Sequence, residues 1–494
     1  MGNIDICSQA EFATALSARD YVVASKIGMT LLRNTKLSIL QAINVMRAAG
    51  MAGDLPAFSE AFRAAADLVS KTRNDDAQFS RAWKQVLRFE IETSDVSMAV
   101  NTVERARSLG VSSEEDELFL APMLTFLGEH GLTLKETFRL IEVAAAGHVP
   151  QVKTGLQINC WFRLLIVPRD SLDARDTWMS VTSQAIREAK KRNIHSVMIP
   201  DYLVSVIRNS SHYTLSFHTE GERQGSTHFK PADLPGYAVI DCGGYSGWSS
   251  LARSSIADLE LPPLVEAAEF YDRHVEDIIV RNVSKYPQAT TCPTVSLPEK
   301  FVFVPLQVKS DRTQELARIS MMDMLDMVVE RFHGTDTRVV VKRHPKCRDD
   351  EVAGKIAELS SAGAIVVSED SIHTLVSKSQ AVFTVNSGVG SEAIVHLKPI
   401  YLFGDADYNC AVHQVIDRDH FWRITETISP ALSDGEMKQF LCYYRTRYLV
   451  KVSDRRLLSA AIAERVFGEM AARSRRCIFS SIASWWRNKA MSPA

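Results

Sequence analysis

Lys342, Arg343 and His344 stand together ahead of Pro345, directly after the apolar run Val339-Val340-Val341. Lys and Arg supply charge-assisted hydrogen-bond donors, and His can donate to, or protonate, a leaving oxygen. At the carboxyl end of a strand such a trio suits a phosphate; the alternative is a solvated strand end. Further along, Asn386-Ser387-Gly388-Val389-Gly390-Ser391-Glu392-Ala393 lies between an apolar run and a helical one. Its glycines let a backbone approach a ligand, and the helix, expected to open at about Ser391, turns free N–H groups and a partial positive charge toward an anion. Glu392 can accept hydrogen bonds from ribose hydroxyls. A Gly-x-Gly turn alone is as well read as structural, but joined to Lys342–Pro345 it points to a nucleotide.

A third group is Asp241 with the loop Gly243-Gly244-Tyr245-Ser246-Gly247-Trp248, preceded by Phe217-His218-Thr219-Glu220-Gly221 and by Gly225-Ser226-Thr227-His228-Phe229-Lys230. Glycines beside Tyr245, Ser246 and Trp248 make a polar aromatic loop of the kind that holds sugars. Asp241, ending a predicted strand, is the candidate carboxylate, with Glu220 as runner-up. A structural turn capped by Asp241 is the competing reading.

Three kinds of element must position these groups. Over residues 1–150, apolar residues recur three and four apart, as in Phe58-Ala61-Phe62-Ala65, which predicts amphipathic helices and an all-helical domain. Over 151–295, short apolar runs such as Leu164–Val167 and Ser196–Pro200 alternate with a helical stretch from Ala174 to Arg192, which predicts a parallel sheet with crossover helices. The Pro-rich segment 287–298 reads as a linker. Over 301–430 strands are expected at Phe301–Val304, Arg338–Val341, Ala364–Val367, Ala381–Val385 and Pro399–Phe403, with helices at 313–332, 349–361 and 372–379. Runs this apolar fit a doubly wound sheet covered on both faces, whose ligands gather at the strands' carboxyl ends. Helices return over 431–472, and a basic, aromatic tail occupies 473–494.

Length and composition agree. At roughly 100–200 residues per domain, 494 residues make about three domains. With 57 Lys+Arg against 59 Asp+Glu, the net charge of −2 gives no global attraction to nucleic acid, and no nucleic-acid partner is expected. No run reaches the roughly 18 apolar residues of a membrane span, and no signal core is visible, so a cytoplasmic location is expected. The nearest cysteines, Cys410 and Cys442, are 32 positions apart, which excludes CxxC metal or redox spacing. In the tail Ile478, Ile482, Trp485 and Trp486 share a helical face among basic residues, which fits either an interfacial helix on anionic lipid, peripheral to the inner membrane, or a helix packed on the protein body.

Taken together, Phe303–Gln307, Lys342-x-His344-Pro345, Ser371-Ile-His373-Thr-Leu375, Val385–Ala393, Lys398-Pro399 and Gly404-x-Ala406-x-Tyr408 resemble the capsular polysaccharide synthesis glycosyltransferases, and more narrowly the bacterial retaining β-Kdo transferases. The loop Asp241–Ser249 resembles that group's amino-terminal half-site, so the match spans about residues 195 to 410. The resemblance implies a GT-B-like pair of Rossmann-type domains behind an added N-terminal helical domain: 151–295 on the acceptor side and 301–430 for the donor. It implies CMP-Kdo as donor, a glycan or glycolipid acceptor, no metal and no cofactor. By motif, Lys342 and His344 would face the donor phosphate, and Ser387 with the backbone around Gly388 and Gly390 would hold phosphate or the Kdo carboxylate. Glu392 and His373 would lie near ribose and cytosine, Gln307 and Asn386 in the cleft, and Asp241 at the anomeric carbon. Arg343 and residues 1–150 have no counterpart in the pattern, which leaves the acceptor and any protein partner of the N-terminal helices open. Two further readings stay open: a UDP-sugar transferase or epimerase, and a degenerate nucleotide-binding scaffold of a polysaccharide assembly complex.

Overall fold

The computed structural model describes residues 2–93, 95–130, 156–160, 172–200, 213–221, 225–286, 288, 296–468 and 470. The chain divides into two compact units, Met1–His218 with Ile462–Ala494, and Thr219–Ala461. The expected strand at 164–167, most of the linker at 287–298 and the tail at 473–494 lie outside the described residues.

The first unit begins with helices α1 (Gly2–Ser17), α2 (Tyr21–Asn34), α3 (Ile39–Ala52), α4 (Leu55–Arg73), α5 (Asp76–Glu92), α6 (Val96–Ser108) and α7 (Glu114–His130). Their starts are written in the sequence: Asp20, Ser38, Asp54, Asp75 and Asp95 each accept a hydrogen bond from the backbone N–H three residues on. The apolar faces bury Ile43, Phe58, Phe79 and Leu87. Gly28 is needed where α1, α2 and α3 meet, since a Cβ there would stand 2.9 Å from both Phe12 and Val45. Beyond them β1 (Leu156–Cys160), α8 (Leu172–Lys191), β2 (Ser196–Pro200) and β3 (Tyr213–Phe217) follow, with β1 parallel to both other strands.

The second unit departs from the expected parallel arrangement at its start. Here β4 (Ser226–Pro231) and β5 (Tyr237–Asp241) form an antiparallel hairpin, and β12 (Val450–Lys451), which interrupts the expected C-terminal helices, runs antiparallel to β5. After α9 (Leu264–Val275) comes the doubly wound domain: β6 (Phe301–Pro305), α10 (Met321–Phe332), β7 (Arg338–Lys342), α11 (Asp350–Ser361), β8 (Ile365–Val367), α12 (Ile372–Lys378), β9 (Val382–Thr384), α13 (Gly388–Val395), β10 (Ile400–Leu402), β11 (His413–Gln414) and α14 (Arg418–Ile424). Then α15 (Asp434–Tyr443), a π-turn over Tyr444–Tyr448, and α16 (Arg455–Ile462) complete it. Two starts differ from expectation. Ser320 caps α10 at Met321 rather than near Thr313, and Ser387 caps α13 at Gly388 rather than Ser391, in both cases because a serine hydroxyl accepts a first-turn N–H.

The parallel sheet has the order β11-β10-β9-β6-β7-β8. Counted along the chain within this sheet that is the Rossmann order, and the chain reverses direction between β6 and β9, where such sheets open a crevice at the strands' carboxyl ends. Strands β6 and β9 are wholly buried, Phe383 and Tyr401 stack at 4.8 Å, and the helices cover both faces. The α/β class with an N-terminal helical region is therefore as the sequence implies.

Candidate functional site

At the reversal between β6 and β9 the second unit holds a cavity of about 550 Å³, large enough for a nucleotide sugar. Gln307, just past β6, and Asn386, just past β9, bridge it. Gln307 Nε2 donates to Asn386 Oδ1 at 2.8 Å, its Oε1 accepts from the Asn386 N–H at 3.1 Å, and Asn386 Nδ2 donates to the Thr313 carbonyl at 2.7 Å. Both side chains are thus mainly clamps that fix the strand ends on which Ser387 and Gly388 reach the cavity. Gly390 does not line it; Tyr408 packs where its Cβ would be and donates to the Ser387 carbonyl.

Lys342, Arg343 and His344 line the same cavity from the end of β7. Lys342 Nζ donates to the carbonyls of Glu369 (3.2 Å) and Asp370 (2.6 Å), and Arg343 to that of Asp349 (2.8 Å), so both cations are aimed without being neutralised. Burial lowers the pKa of His344, which favours its neutral form. Its Nδ1 accepts from the Lys346 N–H at 3.1 Å, leaving Nε2 as the protonated donor.

Glu392 projects from α13 into the cavity and accepts from Ser284 Oγ at 2.9 Å; burial pushes its pKa up to about 7. His373, expected beside the nucleotide, does not reach the cavity. It is buried behind the wall, donating from Nε2 to the Val283 carbonyl at 2.8 Å, so that Nδ1 accepts from His396 at 3.0 Å. Its role is to hold the wall that carries Glu392, 3.8 Å away.

The proposed carboxylates come out differently as well. Asp241 does not line the cavity: it is buried and accepts from the N–H of Gly243 (2.7 Å) and from the hydroxyl of Ser250 (2.6 Å), and so anchors the loop that follows it. The strand-end rule that singled it out belongs to parallel sheets, whereas β5 is antiparallel, and the hairpin's other end faces the cavity. Glu220 is also absent from the lining and pairs with Arg312 at 2.9 Å. Tyr245 and Ser246 do line the cavity; Trp248 instead packs edge-on against Tyr245 at 5.2 Å.

The carboxylate in place is Asp233, in the β4–β5 turn. A Cβ on Gly388 would stand 2.5 Å from Asp233 Cγ, so the acid abuts the N-terminus of α13. Burial opposes its ionisation, but Lys285, 3.1 Å away, and Lys230 hold its pKa below the usual carboxylate value. Burial by itself would lower Lys285, but Asp233, with Tyr286 and Asp311, more than offsets it and the pKa is raised. Asp407 also lines the cavity; burial and the charge of Asp233 push it up to about 7, while Tyr444 donates to it at 2.9 Å. Behind these acids the buried Arg445, carried by the π-turn, favours the ionised forms of Asp233, Glu392 and Asp407, and its Nε and Nη1 have no hydrogen-bond partner among the described residues. Asp233 escaped the sequence reading because a turn such as Ala232–Gly236 reads as a plain reversal, and Lys285 because it stands in a stretch without periodicity.

Among the described residues no group of three or more His, Cys, Asp or Glu is placed to hold a metal ion, and no helix is long and apolar enough to cross a membrane.

Fold and cavity together define a Rossmann-type α/β domain with an anion-suited crevice at its switch point. Residues 269–448 match the family model described as capsule polysaccharide biosynthesis protein, which bears out the resemblance over that segment. The chain is 27% identical over 263 residues to protein FixF of Sinorhizobium fredii, a match covering 51% of this chain and 61% of that one. Among solved structures it is similar to two KpsC domains of Thermosulfurimonas dismutans. The β-Kdo 2,7 transferase shows 16% identity and a TM-score of 0.39, over 60% of this chain and 92% of the other. The β-Kdo 2,4 transferase shows 14% and 0.40, over 62% and 96%.

Proposed function

We propose that this chain is a glycosyltransferase of surface polysaccharide synthesis that moves Kdo, or a related 3-deoxy-ulosonic acid, from a CMP-sugar to a glycan or glycolipid acceptor with retention. One observation carries the reading: a phosphate-suited wall and an ionised carboxylate, Asp233, share one cavity at a Rossmann switch point. Lys342, Arg343 and the N-terminus of α13 would take the donor phosphate, and the Nε2–H of His344 would donate to its leaving oxygen, without a metal. Glu392 would accept from the ribose.

With the phosphate on Lys342 and Arg343, the anomeric carbon would face Asp233 from the side opposite the leaving oxygen. Its carboxylate forms a bond to that carbon as the carbon–oxygen bond to CMP breaks, CMP taking the electron pair. The acceptor oxygen then displaces Asp233, its proton passing to the phosphate of the released CMP, and the carboxylate is restored. Two inversions give net retention. The tail at 473–494 would hold the enzyme on an anionic membrane surface, and the N-terminal helices would take a protein partner.

The test is transfer and hydrolysis across CMP-, UDP- and GDP-linked sugars, with the product anomer read by NMR. Turnover of CMP-Kdo with retention is the expected result. Turnover of a UDP-sugar would replace the reading with a UDP-sugar transferase or epimerase, and binding without any turnover would leave a scaffold.

A further inference from the structure

Lys230 differs from the other assigned cations of the cavity. Lys285 is paired with Asp233, Lys342 rests on two carbonyls and Arg343 on one. The ammonium of Lys230 also lines the cavity, yet among the described residues it makes no hydrogen bond or close ion pair and sits over the Tyr245 ring, whose centroid lies 3.8 Å away. An aromatic face steers a cation without neutralising it. Lys230 stands on the hairpin wall, three positions before Asp233, and not on the wall made by the ends of β7 and β9.

We infer that Lys230, seated on Tyr245, receives the carboxylate of the donor sugar and selects acidic ulosonic donors over neutral sugars. The inference rests on the proposed donor, because in a 3-deoxy-2-ulosonic acid the carboxylate is attached to the anomeric carbon itself. Setting that carbon against Asp233 brings two anions together, and a cation at Lys230 offsets their repulsion. A neutral sugar would cover the ammonium without giving it a hydrogen-bonding anion. The charge on Lys230 is poised: burial first, then the neighbouring Lys285, lower its pKa to about 8, against the attraction of Asp311, Asp233 and Asp407.

The experiment is calorimetry on the full chain with CMP and with CMP-Kdo. Lys230→Met should weaken CMP-Kdo about thirtyfold while leaving CMP within a few-fold, a charged hydrogen bond being worth that much. Lys230→Arg should recover part of the loss. The wild-type preference for CMP-Kdo over CMP should fall as pH rises through 8, and the Met variant should show no such fall. In a second measurement, acetic anhydride labelling read by peptide mass spectrometry should modify Lys230 rapidly, with protection by free Kdo and none by CMP or glucose. Equal losses for CMP and CMP-Kdo would make Lys230 a phosphate contact and overturn the inference, as would unchanged affinities. If wild type binds CMP but not CMP-Kdo, the donor reading fails, and the labelling decides Lys230 independently: protection by Kdo supports it as a carboxylate site, and its absence overturns it.

Discussion

Ser250 gives the carboxylate of Asp241 two donors, its hydroxyl at 2.6 Å and its backbone N–H at 3.0 and 3.1 Å from the two oxygens. An acid held this way organises a loop, while Asp233 faces the cavity. Asp241→Asn, which turns an amide NH2 toward donors, is expected to cost about 1–3 kcal/mol in denaturant unfolding while CMP affinity changes only a few-fold. Asp233→Asn, which keeps an oxygen for Lys285, should retain the fold and lose roughly a thousandfold or more in transfer. The reverse pattern, a stable but inactive Asp241→Asn beside an active Asp233→Asn, would return the catalytic role to Asp241.

Glu392 ties stability to pH. Burial pushes its pKa up to about 7 from the ordinary 4.5, so the folded chain holds a proton that the unfolded chain has released across that interval. Its contribution is present below about pH 4.5 and is lost as pH rises through 7, on the order of 3 kcal/mol in all. Glu392→Gln should flatten the decline in melting temperature between pH 5 and 8. An unchanged slope in the variant would show that Glu392 is ionised throughout.

Metal independence is checked by titrating CMP in the presence and absence of EDTA. The cations on the β7 end and the N-terminus of α13 supply the positive charge, so the affinity should be the same in both. Loss of binding in the chelator would refute this, and tighter binding of UDP would refute the cytidine assignment.

Gly388 is sterically committed to its neighbour, because a Cβ would stand 2.8 Å from both oxygens of Asp233. Gly388→Ala is therefore expected to push Asp233 aside, lowering transfer at least tenfold with a smaller change in melting temperature. Full activity in this variant would mean that the two groups separate when donor binds.

The Rossmann half was legible because its strands are buried on both faces and read as unbroken apolar runs such as Phe301–Val304, followed by helices with serine caps. The phosphate wall was legible for a related reason: Lys342, Arg343 and His344 end an apolar run abruptly where a strand stops. The opposite wall was not. Lys230 lies at the end of a strand of mixed polarity, Asp233 in a turn, and Lys285 in a stretch with no periodicity, so their convergence depends on hairpin register and chain return rather than on local pattern. Asp241 drew notice through the glycines that follow it, and those glycines serve the loop it anchors: a Cβ on Gly243 would crowd the Asp241 carboxylate at 3.3 Å.

The π-turn over Tyr444–Tyr448 has a consequence for insertions and deletions. A π-turn accommodates one more residue than an α-turn, so removing one would relax the segment to a regular helix and rotate the residues beyond it by about 100°. Arg445 and the Tyr444 hydroxyl that donates to Asp407 could no longer both face the acids from one wide turn. A homologue one residue shorter here would need to draw its buried cation from another position, and an ungapped alignment across this turn would pair side chains that point in different directions.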